Sequence, residues 1–309
     1  MCRFLLYAGR RVRLDELLYR PSSSLVRQAY DPQELGMLNL GGFGVAAWDP
    51  ASPSPETPWL YRSTVLPSFD DNLRHLARKL EATCVLAHVR GIALDAEDGD
   101  FGPHNLHPFL YPGYAWSMAH NGFIRGFAAI RQDIVACFAP EVAAQVRGTT
   151  DSEAFYALVM SQLEDPLRDR DPDALVGALV RALRLLRRIR AARGLSLSTS
   201  MNVVFTNGRD AVVLRFVFDF GCYPLDKPGQ IDPAAIRYLS LWYTLGDRFR
   251  EDAGTWRMTG DSAAAASVLV ASEPLTLDRA GWTEVPEYSI LTVRATDGAH
   301  TVSTTPVDL

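Results

Sequence analysis

Lysine is nearly missing from this chain: among 31 basic residues only Lys79 and Lys227 are lysines, a skew that a GC-rich coding bias explains. Acidic residues number 36, and the net charge of -5 provides no global basic field to attract nucleic acid or an anionic membrane. Cysteine is scarce too. Cys2, Cys84, Cys137 and Cys222 lie far apart with no C-x-x-C pair, so neither a zinc ribbon nor a disulfide scaffold is expected, and the compartment reads as reducing cytoplasm. No run of about 18 apolar residues occurs. The stretch from Phe4 to Gly9 has no basic region before it and is too short for a signal peptide, so a soluble chain with its genetic start is expected. Neither G-x-G-x-x-G nor G-x-x-x-x-G-K-[ST] is present, and Gly41-Gly42-Phe43-Gly44 leads into a strand rather than a helix. A nucleotide-binding doubly wound fold is therefore disfavoured, and no cofactor is implied.

What is present is apolar material for one large domain or two small ones: 309 residues, 48% hydrophobic and 22% charged. Phe4 to Tyr7 reads as a buried strand closed by Ala8-Gly9. Val45 to Trp48, 84–90, 114–120, 201–208, 211–218, 267–272 and 288–293 read as further strands. Residues 11–35 suggest loop and short helix, 50–58 a proline-rich surface loop, and Asp70 to Ala82 a helix. Thr150-x-x-Glu153 is a capping box that predicts a helix from Asp151. A second helix carries Leu175, Val176, Leu179, Val180, Leu183 and Leu186 on one stripe, with Arg181, Arg184 and Arg188 opposite, a solvated face or a docking surface for an acidic partner. Asn207-Gly208 predicts a hairpin turn, and 246–265 is the most boundary-like segment. Strands, two helices, then strands suggest stacked antiparallel sheets with both helices on one outer face.

Cys2 carries the most chemistry. Removal of the initiator methionine would leave a thiol beside a free α-amine, whose reference pKa of about 7.7–8.0 suits it to take the thiol's proton near neutral pH. A second-position cysteine can equally be a small core residue. In LAHVRG, alternation puts Leu86, His88 and Arg90 on one face, and an arginine there can fork onto a carboxylate or pair with Asp95, Glu97 or Asp98. Asn121-Gly122 is either a hairpin turn or a pair of donors to an oxyanion, the glycine allowing close backbone approach. Asp151 can favour a helix N-terminus or face an ammonium group. His104, His107 and His120 form a histidine cluster better read as structural than as a metal site.

Taken in order, MCRF, GGFGVAAW, LAHVRG, NLHPF, AHNGFI, GTTDSEAF and ASEPLT resemble the motifs of class II glutamine amidotransferases. The similarity is greatest to the stand-alone subgroup of these N-terminal-nucleophile hydrolases that includes Dug3-type glutathione-degrading subunits and the ergothioneine-pathway γ-glutamyl amidase. The resemblance implies an α+β fold of four αββα layers around two antiparallel sheets, with 2–309 a single domain completed by late strands at about 267–294. It makes Cys2 the nucleophile, Asn121 and Gly122 the oxyanion hole, Arg90 the clamp on a glutamyl α-carboxylate and Asp151 the partner of the α-amine; His88 and His120 are expected to join Arg90 and Asp151 as substrate-binding residues. Where the family shows Arg-x-Ala-Thr this chain has Arg90-Gly91-Ile92-Ala93, and Gly41 and Leu106 replace its Asp and Thr in two other motifs. The implied reaction is γ-glutamyl amide hydrolysis through a glutamyl thioester, on glutamine or another small γ-glutamyl compound. Ammonia transfer to a separate partner subunit, cleavage of other amides, and a silent interaction subunit of the same fold are the alternatives.

Overall fold

A computed structural model describes residues 2–34, 38–91, 102–219 and 240–309. Ile92, Ala93, Asp95, Glu97, Asp98, Cys222 and Lys227 lie outside them. Two antiparallel sheets face each other. The first contains β1 (Arg3–Arg13), β2 (Phe43–Trp48), β3 (Trp59–Ser63) and β4 (Glu81–Val89). The second begins with β5 (Ser117–Phe123), β6 (Thr199–Thr206) and β7 (Ala211–Phe218). Then β8 (Trp242–Gly246) joins the first sheet, β9 (Arg248–Asp252) and β10 (Thr255–Thr259) form a separate hairpin, and β11 (Ser267–Ala271) and β12 (Thr283–Glu284) return to the first. The chain ends with β13 (Ser289–Thr296) and β14 (Ala299–Pro306) in the second. The orders are β12-β8-β11-β1-β4-β2-β3 and β14-β13-β7-β6-β5.

Alternation along these strands produces three apolar layers. Between the sheets lie Phe4, Leu6 and Ala8 of β1, Cys84 and Leu86 of β4, Val268 and Val270 of β11, and Ala119, Val204 and Val213 from the opposing sheet. The outer face of the second sheet packs on α3 (Phe127–Val135), α5 (Asp151–Met160) and α6 (Pro172–Ala192), α4 (Pro140–Ala143) being a single turn beside them. Both predicted long helices thus cover one face. Over the first sheet the cover is slighter: α1 (Asp15–Leu18), α2 (Asp71–Ala77) and the β9–β10 hairpin, which inserts Phe249 and Trp256 beside Leu5, Val45, Val85 and Leu269. Residues 246–265, expected to be boundary-like, therefore form part of this cover.

β1 is paired with β4 and β11, and both its faces are covered, which is why Phe4, Leu5, Leu6 and Tyr7 form an unbroken apolar run. It does not stop at Ala8-Gly9: the register shifts between Ala8 and Val12, and the strand continues past that irregularity. The predicted helix at 70–82 starts as expected, Asp70 accepting from the Leu73 N–H at 3.0 Å, and ends at Ala77. The Lys79 and Leu80 N–H groups close onto the Leu76 carbonyl, and the chain turns into β4. Thr150 caps α5 by accepting from Glu153 N–H at 3.2 Å, as the capping box requires. On α6, Arg181, Arg184 and Arg188 are exposed, and the first two donate to the Gln162 and Asp308 carbonyls. Among the described residues no helix is long and apolar enough to cross a membrane.

Gly44 faces the layer between the sheets, where an added Cβ would stand 1.9 Å from the His107 carbonyl oxygen. Because both groups belong to backbone, neither can give way cheaply. Gly44→Ala is expected to cost about 1–3 kcal/mol of stability through this overpacking. Urea denaturation measures it, and an unshifted midpoint would show that the 107–108 segment moves freely.

Candidate active site

At one end of the sandwich each apolar row between the sheets gives way to polar residues. In the first sheet His88 pairs with Phe4 on one side and Gly44 on the other, and Ser272 follows β11 beside Phe4. In the second, Asn121, Asn202 and Arg215 stand in register across β5, β6 and β7. Cys2, one residue before β1, continues the face of Phe4, Leu6 and Ala8. Its sulfur is 3.4 Å from the Gly91 N–H and 3.8 Å from the Gly91 carbonyl, and the residue is 9% exposed. The thiol therefore sits just past the end of β4, against the backbone of Gly91. Arg90 donates its N–H to the Gly42 carbonyl and accepts from Gly41 N–H, which ties it to the strand-entry glycines, and its side chain is partly exposed.

Asn121-Gly122 is not a turn. Both residues lie within β5, paired with Asn202 and Met201, whereas the other Asn-Gly dipeptide turns as expected, Asn207 Oδ1 accepting from the Arg209 and Asp210 N–H groups. The context decides: β5 is an edge strand whose one neighbour, β6, keeps pairing past this point. Gly122 is required there because a Cβ would meet the Ser200 carbonyl oxygen at 2.1 Å. The Asn121 amide points between the sheets, where Nδ2 donates to Ser272 Oγ at 3.1 Å.

Asp151, at the start of α5, accepts from Ile124 N–H just beyond β5 at 2.6 Å and from the Ser152 hydroxyl at 3.1 Å. Ser152 Oγ is also 2.9 Å from His120 Nδ1, and His120 Nε2 is 3.2 Å from the Ser200 carbonyl. His120 is fully buried on the helix side of β5: both ring nitrogens have protein partners, and it connects to Asp151 through Ser152. His88 faces the space between the sheets, as alternation predicted, but that face is interior. It is 1% exposed and donates from Nε2 to the His120 carbonyl at 3.1 Å, bridging the sheets instead of opening onto a cleft. The histidine trio of the sequence reading is regrouped as well. His104 is exposed, while His107 stacks on His88 with ring centroids 4.0 Å apart. Among the described residues no group of three His, Cys, Asp or Glu side chains is arranged to hold a metal ion.

Burial drives the His88 imidazole down from 6.5 to about 3, the charge of Arg90 adding to it and the His120 carbonyl opposing it. Burial likewise holds His107 well below 6.5, with His88, His120, Arg90 and Arg62 contributing. His120 is lowered by burial against the pull of Asp151 and the Ser200 carbonyl. Burial thus disfavours the charged form of all three imidazoles.

Several residues here were not assigned a role from sequence. Ser272 accepts from both Phe4 N–H and Asn121, Ser240 Oγ donates to the Ser272 carbonyl at 2.9 Å, and Asn202 Nδ2 donates to the Ser240 carbonyl at 3.1 Å. Arg3 Nη1 donates to the Cys2 carbonyl at 2.9 Å, and its Nε lies 3.7 Å from Glu273. Burial raises the Glu273 carboxyl, while Arg3 and the N–H groups of Glu34 and Gln33 pull it down. The readable signal was a polar residue ending each inward-facing apolar row: Asn202 after Val204, Ser272 after Val270.

Comparison with known proteins places this geometry. Residues 41–216 match the family model described as class-II glutamine amidotransferases. The chain is 31% identical to a protein of the yeast Saccharomyces cerevisiae described as probable glutamine amidotransferase DUG3, over 95% of this chain and 82% of that one. Among solved structures, a glutamine aminotransferase class-II domain protein from Silicibacter pomeroyi superposes with a TM-score of 0.60 at 23% identity, covering 99% of this chain and 100% of that one. The Bacillus subtilis glutamine phosphoribosylpyrophosphate amidotransferase superposes with a TM-score of 0.55 at 15% identity, this chain spanning 50% of its length. These likenesses confirm two antiparallel sheets in an α+β sandwich.

Because the buried His88 has its pKa lowered, the native state holds fewer protons than the unfolded chain between pH 6.5 and about 3. Stability conferred by this neutral imidazole is complete above 6.5 and is lost as pH falls through that window, at about 1.4 kcal/mol per pH unit. His88→Gln, which keeps a donor for the His120 carbonyl, is expected to flatten this part of the profile. Urea titrations at pH 7 and pH 5 measure it, and an unchanged pH dependence in the variant would remove His88 as its source.

Proposed function

Because this chain belongs to the class II glutamine amidotransferases, we propose that it hydrolyses the side-chain amide of glutamine or of small γ-glutamyl compounds, with Cys2 as nucleophile. The observation that carries this reading is the meeting of the Cys2 strand with Asn121 of the opposite sheet through one shared hydroxyl, that of Ser272. Once Met1 is removed, the α-amine of Cys2 takes the thiol proton and the sulfur attacks the amide carbonyl. Charge develops on the carbonyl oxygen, where Asn121 Nδ2 and the Gly122 N–H donate to it. The amine leaves with the proton, and water then cleaves the glutamyl thioester.

In this reading Arg90 receives the α-carboxylate and Asp151 the α-ammonium group, the two charges common to every γ-glutamyl amide. His88 and His120 act at one remove: His88 ties the Cys2 sheet to the Asn121 strand, and His120 orients Asp151 through Ser152. Residues 2–309 work as one domain, since β11 and β13, from the last part of the chain, lie in different sheets. Of the residues that depart from the family motifs, Ile92 lies outside the described residues, and Leu106, which is 1% exposed, lies beside Gly42 at the entry to β2.

Intact mass followed by a diazoketone analogue of glutamine tests the nucleophile. The mature mass should lack Met1, one adduct should map to Cys2, and Cys2→Ala should fold yet neither hydrolyse nor label. Full hydrolase activity with Met1 retained would overturn the assignment. Asn121→Ala is expected to raise the acylation barrier by about 2.7–4 kcal/mol, chiefly through kcat; an unchanged kcat would exclude its amide as a donor. Arg90→Ala and Asp151→Ala are each expected to lower kcat/KM by about 2–5 kcal/mol for all γ-glutamyl substrates alike. Analogues lacking the α-amine or with the α-carboxylate esterified provide the control, and cleavage as fast as the parent compounds would refute head-group recognition.

A further inference from the structure

The late motif ASEPLT has no part in the reaction as written above, yet it meets the beginning of the chain. Ser272 accepts Phe4 N–H at its hydroxyl oxygen, 3.0 Å away, and donates its own N–H to the Phe4 carbonyl at 3.0 Å. That doubly bonded pairing fixes Ser272 to β1, two residues from Cys2. The same hydroxyl oxygen accepts from Asn121 Nδ2 of the other sheet at 3.1 Å. A hydroxyl oxygen has two acceptor sites, so both are occupied, one from each sheet. Ser240 Oγ holds the Ser272 carbonyl in turn, and the residue is 1% exposed.

An Asn amide is planar, and its rotation about the terminal torsion is soft. Asn121 Oδ1 has no hydrogen-bond partner among the described residues, so nothing on the oxygen side restrains that rotation. The bond to Ser272 uses one of the two Nδ2 hydrogens, and in doing so sets the direction of the other. We propose that Ser272 is a positioning residue that aims the free N–H of Asn121 at the oxyanion and fixes its distance from Cys2. It acts through Asn121 and takes no proton from substrate. This inference rests on the hydrolase reading above.

The test is a kinetic cycle on the full-length protein with glutamine and γ-glutamyl-p-nitroanilide, comparing wild type, Ser272→Ala, Asn121→Ala and the double variant. Ser272→Ala is expected to lower kcat about ten- to a hundredfold, the scale of a misplaced catalytic group, with KM nearly unchanged. Iodoacetamide labelling at the Cys2 peptide should keep its wild-type rate, because the thiol is not displaced. In the Asn121→Ala background the serine substitution should cause no further loss, whereas a merely structural serine would lower both backgrounds alike. If the alanine variant does not fold, Ser272→Cys replaces it in the same cycle, retaining the volume with a weak acceptor. Wild-type kcat in the serine variant, or multiplicative losses in the double variant, would overturn the inference while leaving the hydrolase reading intact. A wild-type protein inactive on every γ-glutamyl substrate would overturn that reading instead.

Discussion

The pairing of β1 with β4 and β11 is the constraint on which the site depends. A chain terminus is ordinarily the least ordered part of a domain, since nothing opposes its conformational entropy. Here the first strand is hydrogen bonded on both edges and covered on both faces, so the residue preceding it inherits a fixed position. The buried Arg3 adds to this by donating to the Cys2 carbonyl while facing Glu273. Breaking such a pair from one side leaves an uncompensated charge in the interior, a cost of about 3–5 kcal/mol. Cys2 is held by backbone on one side and by a buried guanidinium on the other.

The second organising feature is a change of chemistry along a single layer. Between the sheets, Phe4, Leu6, Leu86, Val204 and Val270 make a dry interior, and one or two residues further along the same rows stand Cys2, His88, Asn202 and Ser272. The apolar part sets how far apart the sheets sit, and the polar part uses that spacing for hydrogen bonds between them. Neutral imidazoles suit this place: a charged ring would have to be solvated, and burial forbids it.

Much of this was legible in the sequence because strand periodicity is local. β7 and the start of α5 were read to the residue, the latter from Thr150 and Glu153. The hairpin at Asn207-Gly208 followed from turn chemistry. The same dipeptide at 121–122 could not be read that way, since only the neighbouring β6 shows that pairing continues through it. His120 and His88 were placed on the correct strands, but whether a strand face opens to solvent depends on what the other sheet brings opposite. The role of Ser272 was invisible for the same reason: a serine after an apolar strand is unremarkable until Phe4 and Asn121 are both seen to bond to it.

The hydrogen bond from Phe4 to Ser272 joins residues 268 positions apart. At a synthesis rate of about 5–20 residues per second, the nascent chain waits roughly 15–50 seconds between exposing one partner and producing the other. During that interval the central strand of the first sheet lacks its β11 edge, and the second sheet lacks β13. A ribosome-bound fragment ending at residue 216 would carry Cys2 and Asn121 without Ser272, the residue that bonds both Phe4 and Asn121.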